Sequence, residues 1–265
     1  MSIKIDLSDK RAIVTGVSSG IGAAIAKVLA AAGCDVAGCG TRSADSPEAV
    51  QFKNSVEQAG RRAFYLQTDL RDSGQLKTFT AHAVQCLGGI DVLVSNAGRN
   101  VFRGVEGCTE GDWNDCMELD LTSHWRLCHA TAGNLRSGRS PVIIIISSNH
   151  AYSTIPGCFP YNVAKAGLTA MVQSLAIELG PLIRAVGIAP GFIDTPGNDV
   201  WFQSFPDPAA ERRRTENLHP VHRLGTPEEI GAFCAFLASS HAAFMTGVTV
   251  LIDGGRSALM QDSNL

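Results

Sequence analysis

Tyr161 and Lys165 stand four positions apart in the stretch "PYNVAKAG". On a helix, that spacing puts a phenol and an ammonium on one face. An ammonium ~4 Å from a phenol, at an effective dielectric of ~20, favours the phenolate by roughly 4 kcal/mol, about 3 pKa units. Such a pair is able to take and return a proton near neutral pH. Y-x-x-x-K alone recurs by chance in many chains, so the residues around it must decide.

The second constellation is "TGVSSGIG", with Gly16, Gly20 and Gly22 directly after a β-rich run. It is a spacing variant of the dinucleotide fingerprint. Glycine permits a tight turn and close backbone approach to a pyrophosphate, which the N-terminus of the next helix stabilises.

Both constellations need a frame that aims them. "RAIVTG" (11–16) reads as a strand, followed by an apolar helix from Ile21 to Ala32 that ends at Gly33. "DVAGCG" is a second strand, and Ser46 to Ala59 an amphipathic helix. "RAFYLQTD", "IDVLVSNAG", "PVIIIISS", "IRAVGIAPG" and "GVTVLIDGG" continue the series of strands. The unbroken β-branched run of "PVIIIISS" suits a strand covered on both faces of a parallel sheet. Strands alternating with helices imply right-handed βαβ units. The expected fold is therefore α/β: a single-domain Rossmann-type, doubly wound parallel sheet over residues 1–265, flanked by helices on both faces. A polar, arginine-bearing stretch at about 197–222 interrupts the alternation and reads as an inserted flap over a site.

Composition narrows the partners. The chain has 265 residues, 45% hydrophobic and 18% charged, and a net charge of −3, which gives no broad attraction to nucleic acid or anionic lipid. No nucleic-acid or membrane partner is expected, and the partner is a small-molecule substrate. The eight cysteines form no C-x-x-C pair, and several fall in apolar runs where cysteine acts as a small hydrophobe. "MSIKIDLSDK" carries no apolar signal region and no apolar run approaches ~20 residues, so a reduced, cytoplasmic protein is expected. Scattered histidines such as His219 and His222 lack partner ligands, and no metal site is expected.

Taken in order, T-G-x-x-x-G-I-G, "SNAG" at 95–98, a serine thirteen residues before Y-x-x-x-K, and "PGFIDT" at 190–195 resemble the short-chain dehydrogenase/reductase family. The resemblance runs from about Lys10 to Gly255. It implies NAD(P)-dependent hydride transfer between nicotinamide and an alcohol or ketone, with Tyr161 as acid/base and Lys165 as its electrostatic partner and ribose ligand. Ser148, at the end of the buried strand, matches the family serine that hydrogen-bonds the substrate oxygen; the thirteen-residue offset selects it over Ser147. The resemblance also implies cofactor contacts from Gly16, Ser18, Ser19, Gly20, Ile21 and Gly22, from Asp69 and Leu70, from Asn96, Ala97 and Gly98, and from Pro190, Gly191, Ile193 and Thr195.

One position departs from the pattern. The family carries an asparagine about forty residues before the tyrosine, where it helps hold a water in the proton relay; this chain has Asp120 in "MELDLTSHW". A carboxylate there still accepts hydrogen bonds, but its charge favours protonated lysine.

At the end of the second strand, "GCGTRS" has Gly40 where NAD users place an acid, and Arg42 nearby suits a 2′-phosphate. The glycine loop, however, lacks the basic residue many NADP users carry. NAD is the expected cofactor and NADP the alternative. Asn149, His150, Arg99 and Phe192, with Ser148 and Tyr161, are the expected substrate contacts. Asn149, His150, Arg99 and the polar flap suit a polyol, sugar or keto-deoxy sugar acid rather than a steroid, the deoxyfuconate type being the sharpest candidate. A 3-oxoacyl-carrier-protein reductase is the enzymatic alternative, and a non-catalytic dinucleotide sensor the alternative of another class. The family's habit, and the apolar faces of "AGLTAMVQSLAIEL", point to a homotetramer.

Overall fold

The computed structural model describes residues 4–259. Seven strands form one fully parallel sheet: β1 (Arg11–Thr15), β2 (Asp35–Gly40), β3 (Ala63–Gln67), β4 (Val92–Ser95), β5 (Val142–Ile146), β6 (Arg184–Pro190) and β7 (Val248–Ile252). Their order across the sheet is β3-β2-β1-β4-β5-β6-β7. The chain starts at β1, works outward to β3, then returns to β4 on the other side of β1. That reversal opens a crevice at the carboxyl ends of β1 and β4, the place where such sheets take ligands.

Burial follows from the alternation of strand side chains. On one face Ala12, Val14, Val94, Ile144 and Ile188 pack with α1 (Gly20–Ala31), α2 (Pro47–Glu57) and α9 (Pro227–Ala238). On the other, Ile13, Leu93, Ile143 and Ile145 pack with α3 (Ser73–Leu87), α5 (Ser123–Leu135) and α6 (Tyr161–Leu179). All five residues of β5 are buried, as its unbroken aliphatic run requires. Each such side chain contributes roughly 1.5–3 kcal/mol on burial.

Helix starts follow a repeated local code. Ser46-Pro47, Thr195-Pro196, Asp207-Pro208 and Thr226-Pro227 open α2, α7 (Pro196–Phe202), α8 (Pro208–Asn217) and α9. In each, the polar side chain accepts a free amide of the first turn while proline supplies a preset φ. The helix expected from Ser46 to Ala59 is thus shorter, because Ser46 is its cap. The strand expected across 62–69 likewise shrinks to Ala63–Gln67. The 197–222 segment consists largely of α7 and α8 between β6 and α9. A further helix, α4 (Glu110–Met117), runs into α5 through a five-residue π segment, Glu118–Thr122. Among the described residues no helix is long and apolar enough to cross a membrane.

One ion pair ties the sheet's non-crevice end. Asp91, just before β4 and fully buried, accepts the Arg11 backbone N–H and Nε at 2.9 and 2.8 Å, and the Arg139 amide at 2.6 Å. Burial works against its charge, but these hydrogen bonds outweigh it and hold the carboxyl below its ordinary range. A depressed folded-state pKa stabilises the fold above the unfolded carboxylate pKa, and that contribution is lost as pH falls through the folded value. Asp91→Asn should lower stability at pH 7 by about 3 kcal/mol, read from the urea midpoint, with the difference from wild type shrinking below about pH 4. An unchanged midpoint at pH 7 would refute this role.

Candidate active site

The glycine turn lies at the crevice. Gly16 and Gly20 take φ of +75° and +57°, which side chains rarely adopt. Gly22, in the first turn of α1, is required by contact: a Cβ there would overlap the Gly16 carbonyl oxygen and lie 2.6 Å from Asn96 Nδ2. Asn96 Nδ2 in turn donates to the Thr15 carbonyl at 2.9 Å, and the Asn96 and Ala97 amides both donate to Thr15 Oγ1 at 3.0 Å. Thr15 therefore locks "SNAG" against "TGVSSGIG". Thr195 faces Gly20 from the third motif, its Cγ2 3.3 Å from where a Gly20 Cβ would sit.

Ser19 occupies the N-cap of α1 without making a side-chain capping bond, and no acid lies in the first turn. This open helix start is ready for an anion. Ser18 Oγ sits where a Gly40 Cβ would fall, and Ile21 packs partly buried against the core. Ile193 bridges to Gly225, the Gly191 amide donates to Ile252 at 3.0 Å, and Thr195 caps α7; Pro190 ends β6 and is buried. Leu70 is buried, whereas Asp69 accepts Arg71 at 2.6 Å. Arg42 is largely exposed, its Nε 3.8 Å from Glu48, and its carbonyl accepts the Tyr65 hydroxyl at 2.7 Å. The glycine cradle, the open helix start and the turn locked beside it together fit a dinucleotide.

The second part of the site gathers at the ends of β5 and the start of α6. Ser148 follows β5, and its hydroxyl accepts the His150 amide at 3.2 Å. Tyr161 and Lys165 lie in the first turns of α6, both buried, with the Lys165 ammonium 5.4 Å from the Tyr161 ring centroid. Ser147 donates instead to the Lys165 carbonyl at 2.8 Å, so it braces α6. Lys165 Nζ lies 3.4 Å from both Asp120 Oδ1 and the Ile146 carbonyl. Asp120 has no exposed surface, and it also accepts the Arg99 amide at 3.1 Å. Gly98 is what allows this approach: a Cβ there would stand 2.5 Å from Asp120 Oδ1 and 3.2 Å from Lys165 Nζ.

Here the electrostatics depart from the simple lysine–phenol picture. Burial, and then the Asp120 charge, push the Tyr161 phenol above its ordinary value; the hydrogen bond with Ser148 opposes them without prevailing. Burial also raises the Asp120 carboxyl, with Lys165 opposing. The expected lowering of the phenol by Lys165 is therefore overturned, first by burial and then by the Asp120 charge.

On the open side, Phe102, His150 and Tyr161 form a triangle of edge-on rings, with centroids 5.4 to 6.2 Å apart. Asn149 lies beside Ser148, its Oδ1 3.5 Å from the serine hydroxyl. Arg99 differs from expectation: its guanidinium pairs with Asp115, which also accepts Arg71 at 2.6 Å, and only its backbone amide joins the Asp120 cluster. Phe192 packs its ring on Trp201 and Phe202 of α7. Sequence reasoning missed Thr15, Ser95, His124 and Asp115. Thr15 and Ser95 stand inside the quoted motifs and His124 four residues after Asp120 in the same run, whereas Asp115 carried no signal.

Comparison with known proteins agrees with this layout. The family model described as enoyl-(acyl carrier protein) reductase matches residues 16–257. The chain is 33% identical to 3beta-hydroxysteroid dehydrogenase 1 of Eggerthella lenta over 94% of each chain. It is 32% identical to human dehydrogenase/reductase SDR family member 4, over 96% of this chain and 90% of that one. The chain belongs to the short-chain dehydrogenase/reductase family. Among solved short-chain enzymes, the aldohexose dehydrogenase of Thermoplasma acidophilum superposes with a TM-score of 0.88 at 28% identity, covering 98% and 99% of the two chains. A dehydrogenase/reductase from Sinorhizobium meliloti gives 0.86 at 33%, over 96% and 97%.

For a short-chain enzyme with Asp120 beside its lysine, the sign of one substitution follows. Asp120→Asn removes a negative charge that disfavours the phenolate, so the phenol should titrate lower. The pH profile of kcat/KM for alcohol oxidation should move to lower pH by on the order of one unit, with the plateau rate changed less than about threefold. A profile that stays in place, or moves upward, would contradict the assignment.

Proposed function

We propose that the chain is an NAD(P)-dependent oxidoreductase acting on a secondary alcohol or ketone. The observation that carries the reading is the joining of a dinucleotide-shaped glycine turn to the buried Ser148–Tyr161–Lys165 cluster at the same end of the sheet. When bound, the dinucleotide supplies the hydride acceptor or donor. Gly16 to Gly22 and the Asn96–Gly98 turn hold it, and Lys165 orients its ribose. Ser148 hydrogen-bonds the substrate oxygen, and Tyr161 takes the hydroxyl proton in oxidation or returns it in reduction.

NAD is the proposed cofactor and NADP its rival. No acid ends β2, where Ser18 fills the space beside Gly40, and this favours a 2′-phosphate. Glu48, however, partly offsets Arg42. For the substrate, Asn149 and His150 beside Ser148 support a polyol, sugar or keto-deoxy sugar acid, as does the likeness to an aldohexose dehydrogenase. The keto-deoxyfuconate type remains the sharpest form of that reading. A rigid apolar alcohol is the second reading. The ring triangle of Phe102, His150 and Tyr161 favours it, as does the likeness to a hydroxysteroid dehydrogenase. Association into a homotetramer is proposed as well, supported by the exposed apolar residues Ile177, Phe244, Val248 and Leu251 around edge strand β7.

The test is absorbance at the reduced-nicotinamide band with NAD⁺ and NADP⁺ in parallel, across sugars, sugar acids and hydroxysteroids. Tyr161→Phe should lower kcat by about 10³-fold while leaving dinucleotide binding within about threefold of wild type. Turnover unaffected by this substitution would refute the assignment. Binding without turnover on every alcohol would favour an acyl-thioester reductase or a sensor.

A further inference from the structure

Ser95 and His124 take no part in the reading above, yet they are buried and joined. Ser95 Oγ and His124 Nδ1 are 2.8 Å apart, and the two residues are 0% and 1% exposed. Ser95 ends β4, immediately before the turn that the glycine motif packs against. His124 lies in the first turn of α5, four residues beyond Asp120.

The turn from Ser95 to Arg99 is thus gripped at three points. Thr15 takes the Asn96 and Ala97 amides from the β1 side. Asp120 takes the Arg99 amide, and His124 takes the Ser95 hydroxyl, both from the helix that crosses behind. His124 is also held neutral. Burial, and then the charge of Lys165, push its imidazole down to about 3. Its Nε2 has no hydrogen-bond partner among the described residues; its bond is to the Ser95 hydroxyl, and the Ala97 and Ser95 backbone of the same turn also acts on the ring.

We propose that His124 is a positioning residue: a neutral imidazole brace that fixes Ser95, and through it the turn on which the dinucleotide rests. An apolar side chain of similar size would fill the same space but strand the Ser95 hydroxyl in a dry site. The brace rests on the dinucleotide-binding reading, which the wild type alone tests.

The experiment titrates NADH and NADPH by fluorescence into wild type, His124→Leu, His124→Asn and Ser95→Ala, with thermal unfolding measured on each. His124→Leu and Ser95→Ala should each weaken the better dinucleotide by about tenfold. Combining them should be no worse than the weaker single variant, since both break one bond. His124→Asn, whose amide can occupy the Nδ1 position, should recover binding to within about threefold of wild type. A residue that merely fills the core would show lowered Tm in every variant, unchanged dinucleotide affinity and no rescue by asparagine; that result overturns the brace. If His124→Leu does not fold, Ser95→Ala decides alone, and undiminished binding there overturns it too. A wild type that binds neither dinucleotide would overturn the underlying reading, and the brace with it.

Discussion

The buried ammonium of Lys165 is the constraint around which the site is arranged. Its side chain is 4% exposed, and an isolated charge in such a place costs several kcal/mol. Its neighbours answer that cost. Asp120 and the Ile146 carbonyl lie 3.4 Å away, and Gly98 leaves out a side chain so that the carboxylate and the amine can meet. The same charge keeps a second cation away, and the nearby imidazole of His124 stays neutral. The π segment that carries Asp120 belongs to this arrangement, since irregular helical turns of this kind gather at functional sites.

Pairing the lysine with a carboxylate changes what the tyrosine is at rest. With a lone ammonium nearby, the phenol would be poised to lose its proton. Burial, with the Asp120 charge acting in the same direction, keeps the phenol protonated. A protonated tyrosine serves ketone reduction directly as the acid, whereas alcohol oxidation first requires that proton to leave. The ammonium still attracts a negative charge forming on the phenol, but against a carboxylate that repels it. On the proposed reading, the tyrosine therefore rests in the acid form.

The architecture was legible because it rests on local rules. The aliphatic run of β5 could only be a strand covered on both faces. The polar cap followed by proline that opens four of the helices was not used, and so the helix read from Ser46 counted its cap as part of it. The pairing of Tyr161 with Lys165 was readable from a four-residue helical spacing, while Ser148 was joined to them through the family resemblance. What stayed hidden was pairing between distant segments. Arg99 looked free to meet a substrate because nothing in its own stretch reveals Asp115. The lowered phenol expected beside Lys165 failed because the strength of a charge depends on what else it faces. Thr15 and Ser95 stood inside the quoted motifs, but their bracing roles stayed hidden, since a hydroxyl in a strand is ordinary until a turn folds onto it.

The flap shows the same limit, with a consequence for the substrate. Its arginines and acids made residues 197–222 read as polar, and from that polarity came the preference for a hydroxylated substrate. In the structure those charges largely satisfy one another. Arg212 pairs with Asp194, Asp199 and Glu216 and lies 5.6 Å over the Phe202 ring; Arg214 holds Glu211, and Arg223, just beyond the segment, holds Glu229. What packs beneath is aromatic: Trp201 lies 5.1 Å from Phe202 and 4.7 Å from Phe205, and Phe192 joins them. Charges engaged in holding a flap closed on itself are not available to bind hydroxyls. The polarity of the flap therefore says little about the polarity of the pocket, and among the side chains the weight of the proposed sugar reading falls on Asn149 and His150. Because His150 is also one edge of the ring triangle with Phe102 and Tyr161, it supports both proposed readings, a hydroxylated ring through hydrogen bonding and an apolar ring through packing.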